Sequence, residues 1–266
     1  EQIENQRDEI ISQKEEITGS ITYASRIQTA MLPGRQLFSE YFKDHFILFK
    51  PRDIVSGDFY WVAGNSDIVY FAAADCTGHG VPGAFMSMLG ISLLNEISGD
   101  GKNDLKPSEI LNMLRSKVVT SLSHTGKGSK AIDGLDIAFC RYDIKNRLLS
   151  YAGAFNPLYH FRNGKLTVFK ADRMPVGYHM TGTGSFNDEQ IKIQPGDIIY
   201  IFSDGFVDQF GGQDDKKFGS RRFKALLSEV IDLPMDKQHD TLENRFMLWK
   251  GNRRQIDDVI LMGIKF

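Results

Sequence analysis

Val69-Tyr70-Phe71-Ala72-Ala73-Ala74-Asp75-Cys76-Thr77-Gly78-His79-Gly80-Val81-Pro82-Gly83 is the stretch whose reading decides the fold. Residues 69 to 74 are apolar, with no charge among them. Such a run reads as a strand buried on both faces. It ends on Asp75, and Cys76 to Gly80 lets the backbone turn sharply. Pro82 and Gly83 then open an apolar helix that continues to about Ile97. A carboxylate at the end of a buried strand, beside a flexible turn, has a set position and access to solvent. That suits a metal ligand better than an ion pair.

On either side of this stretch the chain keeps to short strands and short turns. Strands are expected at 44–50, 56–62, 69–74, 135–143, 147–154, 157–162, 165–170, 187–193, 197–203 and 257–265. Asn146, Asn163-Gly164 and Pro195-Gly196 are turn residues between them. A loop covers 172 to 185, and Gly126 to Lys130 reads as a solvated loop. Helices are expected over 82–97, 108–121, 219–231 and 235–250. Short connections imply antiparallel pairing. The helices come in pairs rather than alternating with strands, which argues against a doubly wound parallel sheet. The fold class is therefore α+β: two stacked antiparallel sheets, a β-sandwich, flanked by helices in α-β-β-α layers.

Residues 1 to 31 read as one further helix, ended by Leu32-Pro33-Gly34. Ile3, Ile10, Ile17, Ala24 and Met31 recur every seven residues. The matching d-like positions, Gln6, Gln13, Ser20 and Ile27, are mostly polar. Two readings stand: a helix docked on its own domain, or a parallel coiled-coil linker that brings two copies together. The expected organisation is a linker helix over 1–34 and one domain over 35–266. The chain begins at Glu1, so a preceding part, with a sensor, is expected.

Bulk properties narrow the function. Of 266 residues, 41% are hydrophobic and 25% charged, ordinary values for a globular protein. The net charge of -2 gives no general basis for binding nucleic acid or an anionic membrane. No apolar run is expected to reach the roughly 18 residues that span a bilayer, and no signal peptide is visible. Cys76 and Cys140 are too few for a disulfide framework and fit a reducing cytoplasm.

Aspartates recur at element ends. Asp58 stands in Ser-Gly-Asp-Phe-Tyr, and Asp75 ends its strand. Asp204 follows the buried run Ile198 to Ser203, and Asp257-Asp258 open the last apolar strand. Carboxylates so placed can converge on one edge of a sheet. Hard divalent cations such as Mg²⁺ and Mn²⁺ take oxygen ligands. Two of them roughly 3.5–4 Å apart can share a carboxylate and generate a hydroxide nucleophile at neutral pH. Alone, a strand-end Asp is more often a cap or an ion-pair partner. The pattern fits a phosphatase, a nuclease or another metal-dependent hydrolase equally well, though the lack of a basic excess counts against the nuclease.

Lys50-Pro51-Arg52-Asp53-Ile54-Val55-Ser56-Gly57-Asp58-Phe59-Tyr60, Asp75-Cys76-Thr77-Gly78-His79-Gly80, Ser203-Asp204-Gly205 and Asp257-Asp258 together resemble the PPM-type metal-dependent serine/threonine phosphatases. The resemblance is to their SpoIIE/RsbU-like branch, as found at the C-terminus of multidomain sensor proteins, and it covers about residues 40 to 266. It implies two metal ions, Mn²⁺ or Mg²⁺, held by Asp58, Asp75, the backbone carbonyl of Cys76, Asp204 and Asp257, with Asp75 bridging. It also implies direct attack on phosphoserine or phosphothreonine in a protein partner, an anti-sigma-factor antagonist of STAS fold. Cys76 and Asp208 depart from the branch's usual residues. For Cys76 an inert buried thiol is the reading. Asp258 is read as ordering the strand start or holding a water. His79 protonates the leaving oxygen or orients a water, or else packs under the turn and hydrogen-bonds backbone. Arg52 and Lys50 are candidates to receive phosphoryl oxygens, Lys50 equally a solvated strand end. The remaining expectations are a homodimer through the N-terminal helix, a cytoplasmic location, no nucleic acid, and membrane attachment only through a preceding N-terminal region. The rival reading is a non-catalytic, phosphatase-like module that binds its partner without turnover.

Overall fold

The computed structural model describes residues 2–98, 104–123, 133–178 and 184–266. The loop expected at Gly126 to Lys130, with His124 and His179, lies outside them. The chain opens with α1 (Gln2–Met31) and α2 (Arg35–Tyr41), then β1 (Asp44–Lys50), β2 (Phe59–Gly64) and β3 (Ile68–Cys76). The helices α3 (Gly80–Ser98) and α4 (Pro107–Ser123) follow. Next come β4 (Gly134–Asp143), β5 (Leu148–Ala154), β6 (Leu158–Arg162), β7 (Lys165–Phe169), β8 (Val176–Gly177), β9 (Glu189–Lys192) and β10 (Ile198–Phe202). The last part holds α5 (Gly205–Asp208), β11 (Phe210–Gly211), β12 (Lys216–Lys217), α6 (Ser220–Val230), α7 (Met235–Lys250) and β13 (Val259–Lys265).

Two sheets stack face to face. One runs β2-β3-β4-β5-β9, with β8 on β4, and the other β1-β13-β10-β6-β7. Every pair of neighbouring strands in them is antiparallel. β11 and β12 form a separate hairpin. The unbroken apolar runs are explained by two-sided burial. Val69, Phe71 and Ala73 of β3 face the inter-sheet core with Ile199, Ile201, Ile260 and Met262. Tyr70, Ala72 and Ala74 face a second core beneath α3 and α4, with Leu94, Leu111 and Leu114. A third core lies between the other sheet and α6 and α7, built on Tyr200, Phe202, Leu261, Phe223 and Phe246. The order of layers is helix, sheet, sheet, helix, as the paired helices imply.

Several boundaries move for physical reasons. The expected strand starts at Ser56 and Asp257 shift to Phe59 and Val259. The buried carboxylate of Asp258 accepts the backbone N–H groups of Arg52 and Gly57, both at 2.7 Å, and so draws these residues out of the ladders. α2 is seven residues long, too short to show a period, yet Phe38 and Phe42 close one end of the inter-sheet core. One expectation is overturned: α3 is long and apolar enough to cross a bilayer by length and composition. Half of that span is buried, because α3 lies on the six-stranded sheet. In α1, Ile3, Ile10 and Ile17 are exposed, while Ala24 and Met31 are half-buried against the body.

Candidate active site

Antiparallel register brings the aspartates to one end of the sandwich. Asp75 on β3 lies opposite Asp136 on β4. Asp58 falls one step beyond the pair Phe59–Ala74, beside Asp75. Asp58, Asp75 and Asp136 thus form a row across three strands. From the other sheet, Asp204 follows the end of β10 and Asp257 precedes β13, which pairs with β10 and with the end of β1. Asp136 is a candidate that the sequence reading missed.

The carboxyls feel one another. Burial raises Asp58 well above the usual carboxylate range, and the charges of Asp258 and Asp257 add to this, against hydrogen bonds with Ser203 and Asp75. Asp75 is raised likewise, by burial and then by Asp58, Asp204, Asp257 and Asp136. Asp136 is pushed up to about 7 by burial and Asp204. Asp204 is exposed as a residue, yet it rises to about 6 through burial of its carboxyl, Asp257 and Asp208, with Lys217 opposing. Asp257 is raised by burial and the charge of Asp258, with its hydrogen bond from the Asp258 N–H, Arg52 and His79 opposing. Like charges packed this closely hold protons or a cation in their place.

The backbone around the row is tightly held. Gly57 is required by packing, since a Cβ there would lie 2.6 Å from the Gly78 carbonyl oxygen. Gly205 is required too, because a Cβ would run into the Asp258 carbonyl oxygen. Gly78 and Gly80 turn with φ of 88° and 64°. The loop before Asp58 is also fastened to α1. Buried Gln28 donates from Nε2 to the Ser56 carbonyl (2.6 Å) and to Ser87 Oγ on α3 (2.7 Å). Its Oε1 accepts the Ser56 N–H at 3.0 Å. Ser56 Oγ in turn accepts the Asp58 N–H at 3.0 Å.

The other candidates separate. His79 is exposed, with Nδ1 3.6 Å from Asp53 Oδ2, so it stands at the mouth of the site rather than beneath the turn. Arg52 donates from Nη1 to the Ile256 carbonyl at 2.9 Å and lies near Asp257. Lys50 points elsewhere, bonded to Glu243 on α7 at 2.6 Å. Asp208 is paired with Lys217 at 2.6 Å. The Cys76 side chain is buried in the core under α3, where burial pushes its thiol well up and keeps it protonated. Asp258 serves the loop, as described.

Among the described residues, no three acid, His or Cys groups are already drawn into an ion-holding cluster. The chemistry of the set nevertheless fits a hard divalent cation: several carboxylates, no basic partner bonded to Asp58 or Asp75, and one unpaired oxygen. Asp58 Oδ2 is buried and has no hydrogen-bond partner among the described residues. An orphaned carboxylate oxygen at such a depth is rare in the absence of a ligand.

A four-layer antiparallel sandwich with an acidic end is the architecture of the PP2C-type phosphatases, a metal-dependent serine/threonine class. Residues 65–266 match the family described as Stage II sporulation protein E (SpoIIE), and the chain belongs to that family. It is similar to the SiaA-PP2C domain of Pseudomonas aeruginosa, at 32% identity and a TM-score of 0.85, over 95% of this chain and 98% of that one. It is 22% identical over 197 residues to the phosphoserine phosphatase RsbU of Bacillus subtilis (strain 168), which is 73% of this chain. The chain spans about half the length of that relative (55%). A chain holding the PP2C phosphatase domain and a fragment of the regulatory domain of SpoIIE from Bacillus subtilis shares the fold at a TM-score of 0.67 and 16% identity, over 84% of this chain and 63% of that one.

Proposed function

We propose that this chain is a metal-dependent protein phosphatase that removes phosphate from phosphoserine or phosphothreonine on a regulatory partner protein. The observation that carries the reading is the buried, unpartnered Asp58 Oδ2 within a set of mutually repelling aspartates. Asp58, Asp75, the Cys76 carbonyl, Asp204 and Asp257 would hold two Mn²⁺ or Mg²⁺ ions, and Asp136 adds charge beside Asp75. Bound there, the ions supply an activated water and positive charge for the phosphoryl oxygens. The chain's own part is to orient. Asp258 and Gln28 hold the loop that carries Asp58. Arg52, beside Asp257, offers its guanidinium to the phosphoryl group, and His79 at the mouth protonates the leaving oxygen.

The exposed stripe Ile3, Ile10 and Ile17 supports pairing of α1 with a second copy. A STAS-fold antagonist of an anti-sigma factor, a cytoplasmic location and control by an upstream sensor complete the proposal. The test is phosphate release from a phosphoserine peptide with Mn²⁺. Asp75→Asn should reduce it to the metal-free background while the metal-free melting temperature does not fall. Full activity in Asp75→Asn overturns the site. A wild-type chain that binds Mn²⁺ and its partner without releasing phosphate supports the non-catalytic module instead.

A further inference from the structure

Phe155 breaks two folding rules at once. It is 46% exposed, so its ring is not there for the core. Its φ is 56°, in the left-handed region that a bulky residue enters only under constraint. The other described non-glycine residues with positive φ are Arg147, Asn163 and Asp215, so Phe155 is the only aromatic among them. Asn or Gly would relieve the backbone, and a polar residue would suit the exposure.

The surrounding turn is built to hold this conformation. The Phe155 N–H donates to the Asp172 carbonyl at 3.0 Å, and the Asn156 N–H to the Ala154 carbonyl at 2.6 Å. Asn156 Nδ2 donates to the Asp136 carbonyl at 3.1 Å. From beneath, the buried Tyr151 hydroxyl donates to the Asn156 carbonyl at 2.6 Å. Gly153 leaves room for that hydroxyl, which any Cβ would strike.

The place is as specific as the conformation. Ile137 lies opposite Ala154, so Phe155 extends the row that runs Asp58, Asp75, Asp136. Strands are spaced by 4.7–4.9 Å, which sets the Phe155 backbone about 10 Å from Asp75. Residues 155–157 then carry the chain from one sheet to the other, from the end of β5 to the start of β6, at the acidic end. Across the site, exposed Ile54 and Ile256 flank Asp53 and Asp257.

We infer that Phe155 is a specificity-determining residue, against which an apolar side chain of the phosphorylated protein packs. This rests on the phosphatase reading and deepens it. A small phosphomonoester held at the aspartates does not reach 10 Å. An extended peptide advances about 3.3 Å per residue, so the third residue from the phosphoserine arrives at Phe155. The net charge of -2 and the acidic surroundings disfavour a nucleotide base as the stacked group.

The experiment uses two phosphoserine peptides with Mn²⁺. One has glycine around the phosphoserine, and the other has leucine at the third residue on each side. The wild-type chain should favour the leucine peptide by about tenfold in kcat/KM. Phe155→Asn, which suits the left-handed backbone, should bring that ratio near one without lowering the melting temperature. Phe155→Tyr should keep it. A wild-type ratio of one, or an unchanged ratio in Phe155→Asn, overturns the inference while leaving the phosphatase reading intact. A wild-type chain that hydrolyses neither peptide overturns the phosphatase reading, and this inference with it.

Discussion

Gly205 shows how little slack surrounds an aspartate of the proposed site. Its neighbour Asp204 is set beside Asp257 because the Gly205 backbone lies against the Asp258 carbonyl. Gly205→Ala must push these segments apart. The expected result is a loss of stability of roughly 1–3 kcal/mol, typical of overpacking, with a lower kcat for phosphoserine peptides. Thermal melting and steady-state kinetics measure both, and an unchanged melting temperature contradicts the packing argument. At this scale, Asp58, Asp75, Asp204 and Asp257 were legible because each closes or opens an apolar run. Asp136 was not. It lies within Leu135-Asp136-Ile137, which reads as ordinary strand alternation, and only its register opposite Asp75 reveals its place. Lys50 was read either toward the site or as a solvated strand end, and its long side chain instead reaches Glu243 on a neighbouring helix.

At the scale of elements, α1 acts on the site through one side chain. Gln28→Leu keeps the volume and removes the amide, leaving the buried Ser56 N–H without its partner and the Ser56 carbonyl with the Ser87 hydroxyl alone. The stability loss should be roughly 1–3 kcal/mol. The loop that holds Asp58 should loosen, so the Mn²⁺ concentration for half-maximal activity should rise. A melting shift with no change in Mn²⁺ requirement assigns Gln28 to stability alone. The seven-residue spacing in α1 announced a helix but not this contact, because a polar residue near the end of a helix reads as solvated. The pairs α3–α4 and α6–α7 were legible as helices. The hairpin of β11 and β12 was not, since two-residue strands carry no alternation.

At the scale of the whole molecule, the acidic end sets a pH dependence. Asp136 and Asp204 are raised to about 7 and about 6, and Asp58, Asp75 and Asp257 are raised as well. The folded chain therefore holds protons that the unfolded chain has released above about pH 4. Without metal, stability should fall as pH rises through 6 and 7. Asp197 works the other way. Burial would raise it, but Arg162, the Gln194 N–H and His160 hold it below the usual range, so its contribution is lost only as pH falls below about 4. In a chelator, the melting temperature should be higher at pH 5.5 than at pH 8, and Mn²⁺ at pH 8 should close much of the gap. A metal-free melting temperature that rises from pH 5.5 to 8 contradicts the repulsion. The sandwich as a whole was legible because ten expected strands with short turns leave few arrangements. The register that aligns the acids was not, since it depends on pairings between distant segments.

The glutamine clasp has a geometrical consequence. Successive residues of a helix point about 100° apart, and α1, at 30 residues, is a rod of about 45 Å. Rolling that rod by one residue step swings the Gln28 amide out of its niche, although the helix stays at the same distance from the body. The loop before Asp58 therefore registers the angular phase of α1, and a twist applied at Ile3 reaches it as a change in which face is presented.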